Sequence, residues 1–365
     1  MKVAEVKAKL RSVIYNAGSS FTWYKRWRLM NWAKLDIKEK MTDCPMLSKE
    51  QEKEVEAYFA PYFKPDMRFS AFYTNKTGRF CANYMPDDIY YSRVDTYYND
   101  WDKALYMDDK CYYDSLFSTL GFKMPKTVCR RINWLWLNAE NEPMSNDDAI
   151  QCIKQAGTAV LKKAVDSEGG HGVYFYDKNV ADSRLKQMIS ELGAEIIVQH
   201  ALKQSAVLSK LNASSVNTIR LLSLLDRNGN VKIYSCVLRM GIGGNKVDNA
   251  SSGGITCGIC SDGKLKPVAY NVMGRKYDQH PDTGVKFDTI TIPGFAEICE
   301  TVRKAHPQLA NFRLLSWDVA LDENDEPVLI EINMKIGELD FHQLNNGPLF
   351  GEDTKMILDE VFAEK

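Results

Sequence analysis

The chain has 365 residues, 45% of them apolar and 26% charged, with 47 Lys/Arg against 48 Asp/Glu and a formal net charge of −1. That composition suits a globular protein of about two or three domains with a real core. The balance of charge argues against a nucleic-acid-binding protein, which is usually clearly basic.

Nine cysteines follow no regular framework. No apolar run approaches the ~18 residues of a membrane span, and the short Val13-Ile14-Tyr15 run is no signal-peptide core. We therefore expect a cytoplasmic protein with free thiols.

Residues 1–60 read as helical. Residues 1–40 carry ten Lys/Arg against three Asp/Glu, among Phe21, Trp23, Tyr24, Trp27 and Trp32. Trp23, Trp27 and Met30 fall at i, i+4 and i+7, a helical stripe, with Lys25, Arg26 and Arg28 beside them. Two readings stay open. One is peripheral contact of residues 20–34 with an anionic membrane, which would place the protein at its inner face. The plainer one is a helix packed on the catalytic domain with a solvated basic face. Ser48 followed by Gln51 is a capping-box signature for a second helix. Tyr62 to Tyr106 is aromatic-rich and without clear period, which predicts a packed but loop-heavy region.

From Asp108 the texture changes. Helix-like stretches near 110–120 and 146–156 alternate with strand-like runs at Val160–Val165 and Glu195–Gln199. Ser167-Glu168-Gly169-Gly170-His171-Gly172-Val173 follows the strand that carries Lys162. Glycines let backbone N–H groups approach a phosphate closely, and a nearby lysine supplies charge. A plain hairpin turn is the alternative.

Beyond residue 215 strands dominate: Thr218–Leu225, Val231–Arg239 and Gly254–Cys260. Asp226-Arg227-Asn228-Gly229 and Ser261-Asp262-Gly263-Lys264 supply hairpin turns. Gly258 to Lys264 nearly spells a P-loop, but Leu265 stands where a Ser/Thr belongs and no helix follows, so we read a hairpin. Cys257-Gly258-Ile259-Cys260 lacks the second pair of a structural zinc site. A helix is expected over Phe295–Ala305, then strands over Leu314–Leu321 and Pro327–Met334. Mixed helices and strands of this kind predict an α+β fold.

The last two strands carry the most informative pattern. Side chains alternate between faces of a strand, so Glu331 and Asn333 share one face. If Asn324-Asp325 is a two-residue turn, 321 faces 328 and Asp318 faces Glu331. Opposed carboxylates repel unless something cationic sits between them. Magnesium takes one or two carboxylates plus phosphate oxygens and water, and Asn333 adds a neutral oxygen. A Lys or Arg partner from elsewhere is the other solution, and one residue of slip would separate the pair.

Taken in order, a strand lysine, a Gly-rich loop, a strand ending near Gln199 and a late Asp318…Glu331-Ile332-Asn333 resemble the ATP-grasp superfamily. Leu211 to Arg220, Leu238-Arg239-Met240-Gly241, Val247-Asp248-Asn249, Gly253-Gly254 and Ser316-Trp317-Asp318 resemble its sugar-transfer associated family, over about residues 108–350. That resemblance implies an ATP-grasp fold, with two α+β subdomains clasping ATP over residues 108–205 and 206–365. They follow a mostly helical region, 1–107.

The resemblance also implies roles. Lys110 and Lys162 contact ATP phosphates. Gly169, Gly170 and Gly172 form a phosphate lid. Val198, Gln199 and His200 hold adenine and ribose. Asp318, Glu331 and Asn333 bind Mg2+. Arg220 and Arg239 face the transferring phosphoryl group or the acid substrate, Asn217, Asp248 and Asn249 line the acceptor site, and Gly337 and Gln343 belong to the loop after the metal strand, with Gln343 a further substrate residue. The implied activity is an ATP-dependent carboxylate–amine ligase of cell-surface polysaccharide synthesis, acting on a small acid and an amine or sugar-linked substrate. A kinase on the same fold and a non-catalytic nucleotide-binding assembly protein are the alternatives.

Overall fold

The computed structural model describes residues 23–165, 172–245 and 253–363. The chain forms two compact units. One comprises the described residues up to Tyr98 together with those from Glu338 onward; the other runs from Asn99 to Gly337. The expected division placed a boundary at 107 and kept the C-terminus with the last strands. Instead, residues from 338 onward group with the N-terminal unit.

The first unit is helical. Helix α1 spans 23–40. Helix α2, Lys49–Phe59, starts at the expected capping box: Ser48 Oγ accepts from the Gln51 amide, and the Ser48 amide donates to Gln51 Oε1 at 3.0 Å. Helix α3, Met67–Thr77, is capped by Asp66 and stopped by Gly78 at φ +77°.

The loop-heavy expectation for Tyr62 to Tyr106 does not hold. Those residues contain α3, a π-helical turn at Tyr90–Val94 and further short helices, among them Trp101–Met107. The period was hidden because α3 is buried on several sides: Phe69, Ser70, Ala71, Phe72 and Tyr73 are five consecutive buried residues. A helix enclosed in this way shows no amphipathic stripe.

A polar knot ties this unit together. Lys40 Nζ sits 2.8 Å from Asp340 and 2.6 Å from Asp36. Tyr73 donates its hydroxyl to Asp87 at 2.7 Å. Burial pushes the Asp87 carboxyl up to about 8 against the pull of Lys40, with Asp340 adding to the rise.

The second unit is built on two antiparallel sheets. In the first, β1 (Thr127–Ile132), β2 (Leu135–Asn138), β3 (Pro143–Met144), β4 (Thr158–Lys163), β5 (Val173–Asp177) and β6 (Ile196–His200) lie in the order β3-β2-β1-β6-β4-β5. Helices Asn146–Gln155 and Asp182–Leu192 bury Ile153, Leu185 and Leu192 with Ala159, Leu161 and Val198 of this sheet.

In the second sheet, β7 (Thr218–Leu225), β8 (Val231–Met240), β9 (Ile255–Ile259), β10 (Leu265–Tyr270), β11 (Lys276–Tyr277), β12 (Leu314–Leu321) and β13 (Pro327–Asn333) run in the order β11-β10-β9-β8-β7-β12-β13. The expected hairpin between β9 and β10 is present, with Gly263 at φ +84°. Helix Phe295–Ala305 spans the predicted residues. Its Ile298 and Val302 share a core with Ile219, Leu221, Leu238, Trp317 and Ile332. These strand residues are spaced so that one face of the sheet is apolar. The other face carries Thr218, Arg220, Ser316 and Asp318, with Leu222 and Leu224 further along β7.

Candidate active site

That second face carries a row of charge. Arg220 of β7 lies opposite Asp318 of β12, which lies opposite Glu331 of β13. Three charged residues on three adjacent strands therefore stand side by side. Arg239 of β8 pairs with Thr218, two residues along from Arg220, and so belongs to the same face.

The predicted pairing of Asp318 with Glu331 is observed, by a different route. The connection is a five-residue loop, with Leu321 opposite Pro327 and the Asp322 amide donating to the Glu326 carbonyl at 3.0 Å. A two-residue Asn324-Asp325 turn would have put 321 opposite 328. A bulge between Asp318 and Val319 restores the register beyond it, since one extra residue on one strand offsets the slip.

Asp318 is only 3% exposed, and both its oxygens are taken. Arg220 donates through Nε to Oδ1 and through Nη2 to Oδ2, each at 2.6 Å, and Arg239 Nη1 donates to Oδ2 at 3.0 Å. Burial would raise the Asp318 carboxyl, but the two guanidinium groups hold it below the ordinary carboxylate range. A fork-to-fork pair of this kind fixes geometry as well as charge. Asp318 thus stands as a strut between two arginines.

Glu331 is more open and meets Lys110 Nζ at 2.8 Å. Burial works to lower the Lys110 ammonium; Glu331, with Asp108 and Asp109, outweighs it and raises it above the usual lysine range. The Lys110 amide donates to the carbonyl of Ala164, just past β4. Lys110 therefore links the first sheet, through its backbone, to the second, through its side chain. Its turn is held from below. Arg130, buried in β1, donates to the Cys111 carbonyl at 2.6 Å and pairs with Asp114.

On the first sheet, Lys162 Nζ lies 3.3 Å from Gln199 Oε1. Gly172 begins the return into β5 at φ +72°, and a Cβ there would stand 3.2 Å from Lys163 Cβ. Gly169, Gly170, Asp248 and Asn249 lie outside the described residues.

Four predicted contacts are committed elsewhere. Val198 is buried mid-sheet between Cys129 and Leu161, so its backbone groups serve the ladder. The His200 amide donates to the Lys126 carbonyl. Asn217 is buried, and its amide donates to Gln204, Leu208 and Asn212 at 3.0–3.1 Å. Gln343 belongs to the helical unit, where its amide clasps Met85 in both directions and also accepts from the Leu349 amide. Fully buried, it offers no surface to a substrate.

Ser316 and Arg130 were missed. Ser316 pairs with Asn333 across β12 and β13. Both Ser316 Oγ and Asn333 Nδ2 are buried without a partner among the described residues. Ser316 is two residues from Asp318, so strand alternation alone puts it on the charged face. Arg130 gave no such signal, since it stands beside Arg131 after Val128-Cys129 and the sequence does not say which of the two is buried against Asp114.

Lys110, Arg220 and Arg239 meet Glu331 and Asp318 directly, and Asp108, Asp109 and Lys335 lie beside Lys110. Ammonium and guanidinium groups gathered in this way suit an anion such as a nucleotide phosphate. Among the described residues no group of three or more His, Cys, Asp or Glu could hold a metal ion. Glu331 and Asn333 nonetheless fit magnesium, which binds through one or two protein oxygens when phosphate supplies the rest. Turning the Asn333 amide over would bring its oxygen to the unpartnered position.

A two-sheet α+β unit with a charged row on one sheet and a lysine and glycine return on the other has the ATP-grasp fold. The chain belongs to the sugar-transfer associated ATP-grasp family, whose model matches residues 91–357. A comparison with curated proteins gives no match.

Among solved structures, it is similar to the biotin carboxylase domain of the Hydrogenobacter thermophilus 2-oxoglutarate carboxylase with MgADP and bicarbonate. There the identity is 14%, with 73% of this chain and 47% of that one covered at a TM-score of 0.44. For an L-amino acid ligase from Bacillus licheniformis the values are 13%, 71%, 48% and 0.41. For the beta-gamma-ATP complex of Campylobacter jejuni biotin carboxylase they are 12%, 71%, 46% and 0.44. The chain spans about half the length of these proteins. No helix among the described residues is long and apolar enough to cross a membrane.

Proposed function

We propose that the chain is an ATP-dependent carboxylate–amine ligase that uses Mg2+. The row Arg239, Arg220, Asp318, Glu331, with Lys110 closing on Glu331, carries this reading. It is a preassembled set of cations and carboxylates on one face of the second sheet, buried except toward Glu331. In it Lys110 and Lys162 bind phosphates, with the Gly172 return beside them, and Arg220 and Arg239 offset charge that develops on the transferring phosphoryl group. Glu331 and Asn333 hold the metal. When bound, Mg2+ neutralises phosphate oxygens and polarises the bond to be broken. Asp318 keeps both guanidinium groups aimed.

The chemistry runs in two displacements. A substrate carboxylate oxygen attacks the γ-phosphorus, the bond to ADP breaks, and an acyl phosphate forms. An amine nitrogen then attacks the acyl carbon, phosphate leaves, and the amine proton is lost. The family description supports substrates from sugar-transfer pathways, and we place the reaction in polysaccharide synthesis at the cell surface, in the cytoplasm.

The test is a screen of amino acids and uronic acids for ADP release, repeated with hydroxylamine. A trapped hydroxamate is expected, because an acyl phosphate reacts with hydroxylamine and a phosphate ester does not. ADP release with a stable phosphate ester would identify a kinase instead. Glu331→Ala should lower turnover by about a hundred- to a thousandfold while melting as a folded protein. Near-normal ADP release from that variant would reject the site.

A further inference from the structure

We infer that helix α1 is a docking face for an anionic lipid surface. The expectation of a helix whose aromatic stripe packs inward is not what the structure shows. Ala33, Ile37 and Lys40 are the buried residues of its inner side, with Leu29 and Met30 half-buried beside them. At 3.6 residues per turn, Tyr24, Trp27, Trp32 and Leu35 fall on the opposite half, and Trp23, in the first turn, lies on the flank. They are 47%, 45%, 51%, 69% and 67% exposed.

Five large apolar side chains exposed on one helix are unusual. Single exposed hydrophobics need no explanation, whereas a contiguous set marks an interaction surface. The set is also ordered: Tyr24 and Trp27 stack at 5.9 Å, and Trp32 meets Tyr91 edge-on at 5.2 Å.

The charges select the occupant. Arg28 and Lys38 are exposed among the aromatics, with Glu39 the opposing acid on the exposed face, and Lys25 and Lys34 lie half-buried on its flanks. An aromatic and leucine face set among lysine and arginine is the pattern of a helix lying in the plane of a bilayer. Trp and Tyr favour the headgroup level, and basic residues are drawn to anionic headgroups. A second copy of this chain suits the face less well, since a two-fold contact would bring Arg28 and Lys38 toward their own counterparts. This inference does not depend on the nucleotide site, which lies in the other unit.

Full-length protein should co-sediment with vesicles of phosphatidylcholine mixed with phosphatidylserine, and not with phosphatidylcholine alone. Added salt should weaken the binding. Trp23→Ala, Trp27→Ala and Leu35→Ala together should lower the partition coefficient at least about tenfold with an unchanged melting curve. Arg28→Glu with Lys38→Glu should abolish the preference for anionic vesicles. Equal binding to both vesicle types, or full binding by the triple variant, would overturn the inference. So would a dimer in light scattering that the triple variant converts to a monomer, because a second copy would then own the face. Binding seen only after deletion of residues 1–22 would overturn it too, by assigning the face to the chain's own N-terminal segment.

Discussion

At the scale of single residues, Asp318 and Asp87 are two buried carboxyls driven in opposite directions. Asp318 is held ionised by Arg220 and Arg239. Asp318→Asn removes the charge that compensates two buried guanidinium groups, and breaking a buried pair of this kind costs about 3–5 kcal/mol. Urea denaturation should show that loss, while the dependence of nucleotide binding on Mg2+ concentration stays within a few fold of wild type. A variant of normal stability that no longer responds to Mg2+ would make Asp318 a metal ligand instead. Asp87 is raised to about 8. The unfolded chain ionises it near the ordinary value of about 4, so between the two values the folded state holds the extra proton. Stability is then fullest below the lower value and declines as pH climbs toward the upper one. Asp87→Asn keeps an acceptor for the Tyr73 hydroxyl and should flatten that decline, raising Tm most near neutral pH. Parallel melts of both proteins across that window check it.

At the scale of elements, the glycine return is the sharpest constraint. Gly172 has φ +72°, and an added Cβ would press on the Lys163 side chain. Both effects oppose Gly172→Ala, which should cost about 1 kcal/mol or more and weaken ATP binding, measured by calorimetry, through displacement of the β4–β5 return beside Lys162. Strands were the most legible elements in the sequence. β7 and β12 have the predicted ends, because β-branched and leucine runs are bounded there by Asn-Gly and Asp-rich turns. The opposed carboxylates were legible for a subtler reason. The turn was misjudged by one residue, but the bulge at Asp318 and Val319 returned the pair to register. No sequence pattern announces a bulge at that point. Arg220 and Arg239 stand among the candidates read from the sequence, but their attachment to Asp318 does not, since a lone sequence does not say which cation meets which anion across 98 and 79 residues of chain. Gln343 was misplaced because a polar residue after a metal strand looks available until its buried amide partners are seen.

At the scale of the whole molecule, the division into two units makes its own prediction. The residues proposed to bind ATP and Mg2+ all fall between Asn99 and Gly337, whereas the helical unit is made from both ends of the chain. A ligand that binds only the native state stabilises it by RT ln(1 + [L]/Kd), about 2.7 kcal/mol at a hundredfold excess over Kd. Local opening reports where that free energy is felt. Amide hydrogen exchange with Mg-ATP should therefore slow within β4, β5, β12, β13 and the turn at Lys110. The helices Lys49–Phe59, Met67–Thr77 and Thr354–Ala363 should exchange at unchanged rates. If Glu331 holds the magnesium beside the nucleotide, as proposed, ATP with a chelator should give weaker protection, with the loss concentrated at β13. Helix α1 offers an independent arm, since anionic vesicles should slow exchange there and leave β12 and β13 alone. Slowing throughout both units with Mg-ATP would show that they are energetically coupled. Protection confined to the helical unit would remove the nucleotide from the charged row altogether.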